Sequence, residues 1–177
     1  MRNPEFWLRG SVKGVPPLLM PVAHALLQSR EDLRQAAEAL SPAEVWHRPG
    51  GAAPVGFHLR HIAGSLDRLF AYARGRSLDA DQLAAIRDEA SPGTPPATAN
   101  ELLAVVDAAM DEALRSLREM SEKELLTARA VGRARLPSNV LGLVFHAAEH
   151  TQRHTGQVIT TSKIIRGLGP QLILHTQ

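Results

Sequence analysis

The chain reads as an all-α protein, a four-helix bundle running up-down-up-down with short extra helices in its loops. Three observations predict it. Four long segments carry apolar residues at helical spacing. No segment shows a credible alternating strand pattern. The apolar content, 44% of 177 residues, rests on Leu, Ala, Val and Ile with only 4% aromatics, as is common in helical bundles. The length predicts one domain with a substantial core, about residues 16–166.

The elements follow in order. Residues 1–14 form a loose lead-in containing Gly10 and Gly14. A first long helix starts near Pro16 or Pro17 and runs to about Leu40, with Leu18, Leu19, Val22, Leu26, Leu33, Ala36, Ala37 and Leu40 as its stripe. Pro21 fits only if the helix begins after it or kinks there. Ser41-Pro42-Ala43-Glu44 places a capping residue before a proline and an acid, predicting a short helix from Pro42 to Trp46. Residues 48–54 are a Pro/Gly loop. The second long helix spans about Pro54 to Ala73, with Val55, Leu59, Ile62, Leu66 and Leu69 inward. His58 lies well inside that arc and His61 at its edge. A short helix follows somewhere in residues 77–89, then a loop at 91–96. The third long helix runs about Ala99 to Met120, capped by Thr98 or Asn100, with Leu102, Val105, Val106, Ala109, Ala113 and Leu117 on one face. Glu122 to Leu126 can form a helical turn, and 127–136 is extended or loop. Pro137-Ser138-Asn139 introduces the last long helix, about Ser138 to Ile165, which Gly167, Gly169 and Pro170 stop. The apolar tail at Leu172, Ile173 and Leu174 packs as a stub or strand.

The composition narrows the chemistry. A formal charge of +2 without a Lys/Arg run argues against nucleic acid as a partner. There is no cysteine, which removes disulfides, thiolate ligands and a Cys nucleophile together. A metal here must use His, carboxylate or water. The apolar N-terminal stretch 15–27 is broken by three prolines and His24, so it does not read as a signal peptide. No uninterrupted apolar run approaches the ~18 residues of a membrane span. The expected location is the cytoplasm.

The histidines carry the functional signal. His146, His150 and His154 are spaced four apart in the last helix, so they share one side of it. Leu143, Ala147, Val158 and Ile165 lie on that side too, which points the imidazoles at the core. Buried imidazoles need hydrogen-bond partners, a proton or a metal. Two histidines at i and i+4 can converge on one divalent cation. A third ligand must come from elsewhere, and His58-Leu59-Arg60-His61 offers two candidates.

The pattern His58-Leu-Arg-His61-Ile, followed at distance by His146-Ala-Ala-Glu-His150-Thr-Gln-Arg-His154-Thr-Gly-Gln157, resembles the DinB/YfiT-like superfamily of metal-dependent enzymes. The resemblance covers roughly residues 16–166. It implies a four-helix bundle binding a divalent metal through His61, His150 and His154, with zinc or nickel ahead of iron or manganese. It favours His61 because the family ligand directly precedes an apolar residue, whereas periodicity places His58 nearer the middle of the apolar face. It also implies a homodimer. Its characterised members include thiol transferases and isomerases that use bacillithiol or mycothiol.

Other residues near the pattern read more plainly. His146, one turn below the pair, is a packing residue first, an outer-shell or acid/base group second. Glu149 is a surface acid. Gln157 can hydrogen-bond a ligand imidazole, or Gly156 and Gln157 serve close helix packing. His24 and His47 read as surface or loop residues. Two functions follow. In one, the chain is a metal-dependent transferase or hydrolase that activates a low-molecular-weight thiol or water against a small electrophile. In the other, it is a non-catalytic metal- or ligand-binding bundle of the stress response.

Overall fold

Ser41, Thr98 and Asp79 each start a helix in the same way. Each side-chain oxygen accepts a hydrogen bond from the backbone N–H three residues on, and the side chain there (Glu44, Glu101, Gln82) reaches back to the capping N–H. These reciprocal bonds satisfy donors that a helix start leaves without partners. They set the first residues of α2 (Pro42–Trp46), α5 (Ala99–Glu119) and α4 (Ala80–Asp88). In the computed structural model, which describes residues 4–168, the remaining helices are α1 (Met20–Ala37), α3 (Val55–Ala73) and α6 (Val140–Leu168). Pro21 sits in the first turn of α1, where a missing N–H costs nothing. A 3-10 turn, Pro17–Leu19, leads into it. Asn139 Oδ1 accepts from Gly142 N at 2.7 Å and helps start α6. That helix runs past Gly167. The tail at Leu172–Leu174, and Gly169 and Pro170, lie outside the described residues.

Two stretches gain definite local structure. Residues 127–139 hold a small antiparallel hairpin, β1 (Ala128–Val131) with β2 (Leu136–Asn139), in the register Ala128↔Asn139 to Val131↔Leu136. Its strands are too short and too polar to stand out as an alternating run. The lead-in is also anchored: Phe6 N donates to Gln28 Oε1 at 3.1 Å, and Arg9 pairs with Glu31 at 2.7 Å.

α1, α3, α5 and α6 form the four-helix bundle. Leu26, Leu33, Ile62, Leu66, Met110 and Ile165 are among its fully buried residues. The inner stripe of α5 is Leu102, Leu103, Val106, Met110, Ala113, Leu114 and Leu117; Val105, expected inside, is 56% exposed. Leu18, expected on the stripe of the first helix, is also exposed.

The helix directions differ from up-down-up-down. Gln152 of α6 donates to the Ala25 carbonyl and Arg166 to the Ala36 carbonyl, so α1 and α6 run parallel. Arg34 reaches Asp107 and Arg30 reaches Asp111, so α1 and α5 are antiparallel. Residues 58 and 61 of α3 meet 154 and 150 of α6, so those two are antiparallel as well. The order is therefore up-down-down-up, with α3 parallel to α5. α1 packs against α5 and α6, and so does α3, which leaves α1 and α3 on one diagonal. A parallel pair needs a connection that travels back along the bundle. The 19-residue α3 is about 28 Å long, and residues 74–98, including α4, easily return over that distance.

Candidate metal centre

Antiparallel packing decides which histidines meet. His58 and His61 lie one turn apart on α3, and His150 and His154 lie one turn apart on α6. Opposed directions pair His61 with His150 and His58 with His154. His61 Nε2 lies 2.8 Å from His150 Nε2, and His58 Nδ1 lies 3.0 Å from His154 Nδ1. One ring nitrogen from each of His61, His150 and His154 lies within 4.8 Å of the others. The His61 and His154 ring centroids are 4.5 Å apart. Phe57 stacks on the His61 ring, with ring centroids 5.5 Å apart and planes 15° from parallel.

Each α3 histidine has a second contact. His61 Nδ1 donates to Glu89 Oε2 at 2.7 Å. Glu89 follows α4, is buried, and also pairs with Arg68 at 2.8 Å. Burial pushes its carboxyl pKa up. The His61 hydrogen bond and the charge of Arg68 outweigh that and hold it below the ordinary value. His58 is buried and has a backbone hydrogen bond with Ala53. Burial, then the neighbouring His61, lowers its pKa to about 4. His154 is likewise lowered to about 4, by burial first and then by His61, His150 and His58. His150 is lowered by burial and by His61, and its buried Nδ1 has no hydrogen-bond partner.

This donor set fits a divalent ion. Imidazoles that resist protonation present lone pairs at neutral pH. Two facing nitrogens 2.8 Å apart need to separate by only ~0.5 Å to reach the ~3.3 Å between neighbouring ligands of a tetrahedral ion with ~2.0–2.1 Å bonds. The second nitrogen of His61 is held by a carboxylate, a usual partner of ligating histidine.

The other histidines stand apart. His146 is exposed, and its Nδ1 bonds Glu149 Oε1 at 2.8 Å. It is neither a core packing residue nor part of the triad, because α6 turns its side chain outward one turn before His150. Glu149 lies at the surface, bound to Arg153. Gln157 is exposed and has no hydrogen bond to a triad histidine among the described residues. A Cβ at Gly156 would meet nothing within 4 Å, so close helix packing does not explain that glycine. His24 Nε2 contacts the Gly10 carbonyl at 2.8 Å. His47 lies in the loop after α2, one of the two places expected for it, and is buried. Glu89 was not legible as a site residue: an acid at the end of a short polar helix looks like surface.

The sequence model of the DinB superfamily matches residues 25–158. The chain belongs to the DinB superfamily. No curated protein matches it. Two solved structures share its fold. One is a conserved protein from Enterococcus faecalis, 17% identical with a TM-score of 0.66, covering 84% of this chain and 97% of that one. The other is YfiT from Bacillus subtilis, 15% identical with a TM-score of 0.60, covering 82% and 86%. YfiT is described as a probable metal-dependent hydrolase with an unusual four-helix bundle topology.

Two cavities of this DinB bundle reach neighbours of the triad, and neither is lined by a triad histidine itself. One of about 590 Å³ reaches His58 and is lined by Ala53, Arg153, Gln157 and Thr161. Another of about 560 Å³, between α3, α4 and α5, has Phe70, Val105 and Ala109 in its wall and meets the triad only through Glu89. No described helix is long and apolar enough to cross a membrane.

Proposed function

We propose that this DinB protein is a metal-dependent enzyme in which His61, His150 and His154 hold one divalent ion. It would make an external thiol or water attack a small electrophile. The observation that carries the reading is the convergence of three ring nitrogens from two helices within 4.8 Å. A divalent ion bound there supplies Lewis acidity, which makes a water or thiol nucleophilic near neutral pH. Three imidazoles leave open positions, the pattern of catalytic rather than structural sites.

The chain's own residues hold and orient the donors. Glu89 and His58 each occupy a second nitrogen of one proposed ligand, and Phe57 covers His61. With no cysteine in the chain, a thiol nucleophile would come from a small cosubstrate. The cavity at His58 has the volume of a small-ligand site and is the side from which a substrate would approach. Zinc or nickel is the expected ion; iron or manganese suits the same donors less selectively.

Metal content of the purified, untagged protein tests the reading. About one ion per chain is expected, lost in His61→Ala and retained in His58→Ala. No metal in any preparation, and none after reconstitution, would overturn it. The loaded protein is then screened for thiol transfer and for hydrolysis. Tight binding without turnover in either would leave a non-catalytic metal-binding bundle.

A further inference from the structure

Glu89 comes from the crossover between α3 and α5, yet its side chain is only 8% exposed. A buried carboxylate needs partners, and α3 supplies both. His61 Nδ1 is 2.7 Å from Oε2, and Arg68 Nη2 is 2.8 Å from Oε1. His61 and Arg68 lie two turns apart on the same face of α3, and Gly64 lies between them. A Cβ at position 64 would stand 2.6 Å from Arg68 Nη1 and 2.9 Å from Glu89 Oε1. The Arg68–Glu89 pair therefore lies across the bare backbone of Gly64, in space any side chain would take.

From this geometry we infer that Glu89, held by Arg68 across Gly64, is a positioning residue. It fixes His61 as the tautomer protonated on Nδ1 and turns its Nε2 lone pair toward His150 and His154. A neutral imidazole has one donor and one acceptor nitrogen. Donation from Nδ1 to the carboxylate leaves Nε2 as the acceptor, the nitrogen that lies 2.8 Å from His150. The carboxylate also makes the ring a better donor to a metal. The docked crossover thus completes a site whose other members all lie on the long helices. The inference rests on the triad being a metal site, and its test separates the two.

The experiment uses the full chain and two variants, Glu89→Gln and Gly64→Ala. Nitrogen-15 NMR of the metal-free protein reads the His61 tautomer. Titration with zinc against a chelator of known affinity reads binding. The wild type is expected to hold His61 in the Nδ1–H form. Both variants are expected to lose that single tautomer and to weaken zinc binding about 10–100-fold, with one site per chain retained. Glu89→Gln removes the counter-charge of the half-buried Arg68 and can unfold the bundle. Gly64→Ala keeps every charge, replaces glycine with a better helix former, and displaces only flexible side-chain ends. A Gly64→Ala protein with the wild-type tautomer and zinc affinity would overturn the inference. A wild type that binds no zinc would overturn the metal reading alone, and the tautomer comparison would still decide the role of Glu89.

Discussion

His58 Nδ1 lies 3.0 Å from His154 Nδ1, so the buried histidine of α3 touches one member of the converging set His61, His150 and His154. A ring whose one nitrogen is held in this way presents the other in a fixed direction. His58→Ala is therefore expected to keep one zinc per chain while weakening its affinity about tenfold. Competition titration measures this. Loss of stoichiometric binding would make His58 itself a ligand.

His146 gives the contrasting case. It lies one turn before His150 on the same helix, but it is exposed and bound to Glu149. Exposed ion pairs contribute little to stability. His146→Ala is expected to leave metal content unchanged and stability within about 0.5 kcal/mol of wild type. His150→Ala and His154→Ala are expected to abolish stoichiometric binding. Elemental analysis and urea denaturation of the three variants give the comparison. Binding retained in His154→Ala would remove that residue from the site.

The bundle and its histidines were legible because both depend on local periodicity. Four long helices and the caps at Ser41 and Thr98 follow from residues within a few positions of each other. The helix directions did not follow, because they depend on where the 74–98 crossover lands. That matters for the site: parallel helices would have paired His58 with His150, whereas the antiparallel pair joins His58 to His154. Glu89 was hidden for the same reason. Its partners His61 and Arg68 are more than twenty residues earlier in the chain, and only folding buries it between them. His47 and Val105 show the limit from the other side. A histidine in a loop is buried, and a valine at helical spacing faces out.

The metal-free protein is expected to lose stability on acidification between about pH 6.5 and 4. His58 and His154 are each held at about 4 in the folded chain, against an ordinary value of 6.5. In that window the unfolded chain binds protons that the folded chain refuses. Stability therefore falls as pH falls, and the loss from these two groups ends below about pH 4. Buried His58 alone accounts for about 3 kcal/mol, and with the share of partly exposed His154 discounted the combined loss is on the order of 4 kcal/mol. Urea midpoints at pH 7, 5.5 and 4.5 measure it. A flat profile over that range would mean that neither ring is held neutral by the fold.

Gly56 tests how firmly the start of α3, and with it His58, is placed. A Cβ there would lie 2.7–2.8 Å from three ring atoms of Trp46. The indole cannot easily retreat, because its Nε1 donates to the Ala97 carbonyl at 2.8 Å just before α5. Two effects oppose each other in Gly56→Ala. Alanine favours the helix over glycine by about 1 kcal/mol. Overpacking a buried ring contact typically costs about 1–3 kcal/mol, and breaking the indole hydrogen bond adds about 1 kcal/mol more. The cost outweighs the gain, so a net destabilisation of about 1–2 kcal/mol is expected from urea denaturation. The companion variant Trp46→Phe removes the indole nitrogen and part of the clash, so Gly56→Ala should cost less in that background. Equal costs in both backgrounds would show that Trp46 is not what holds α3 at this point.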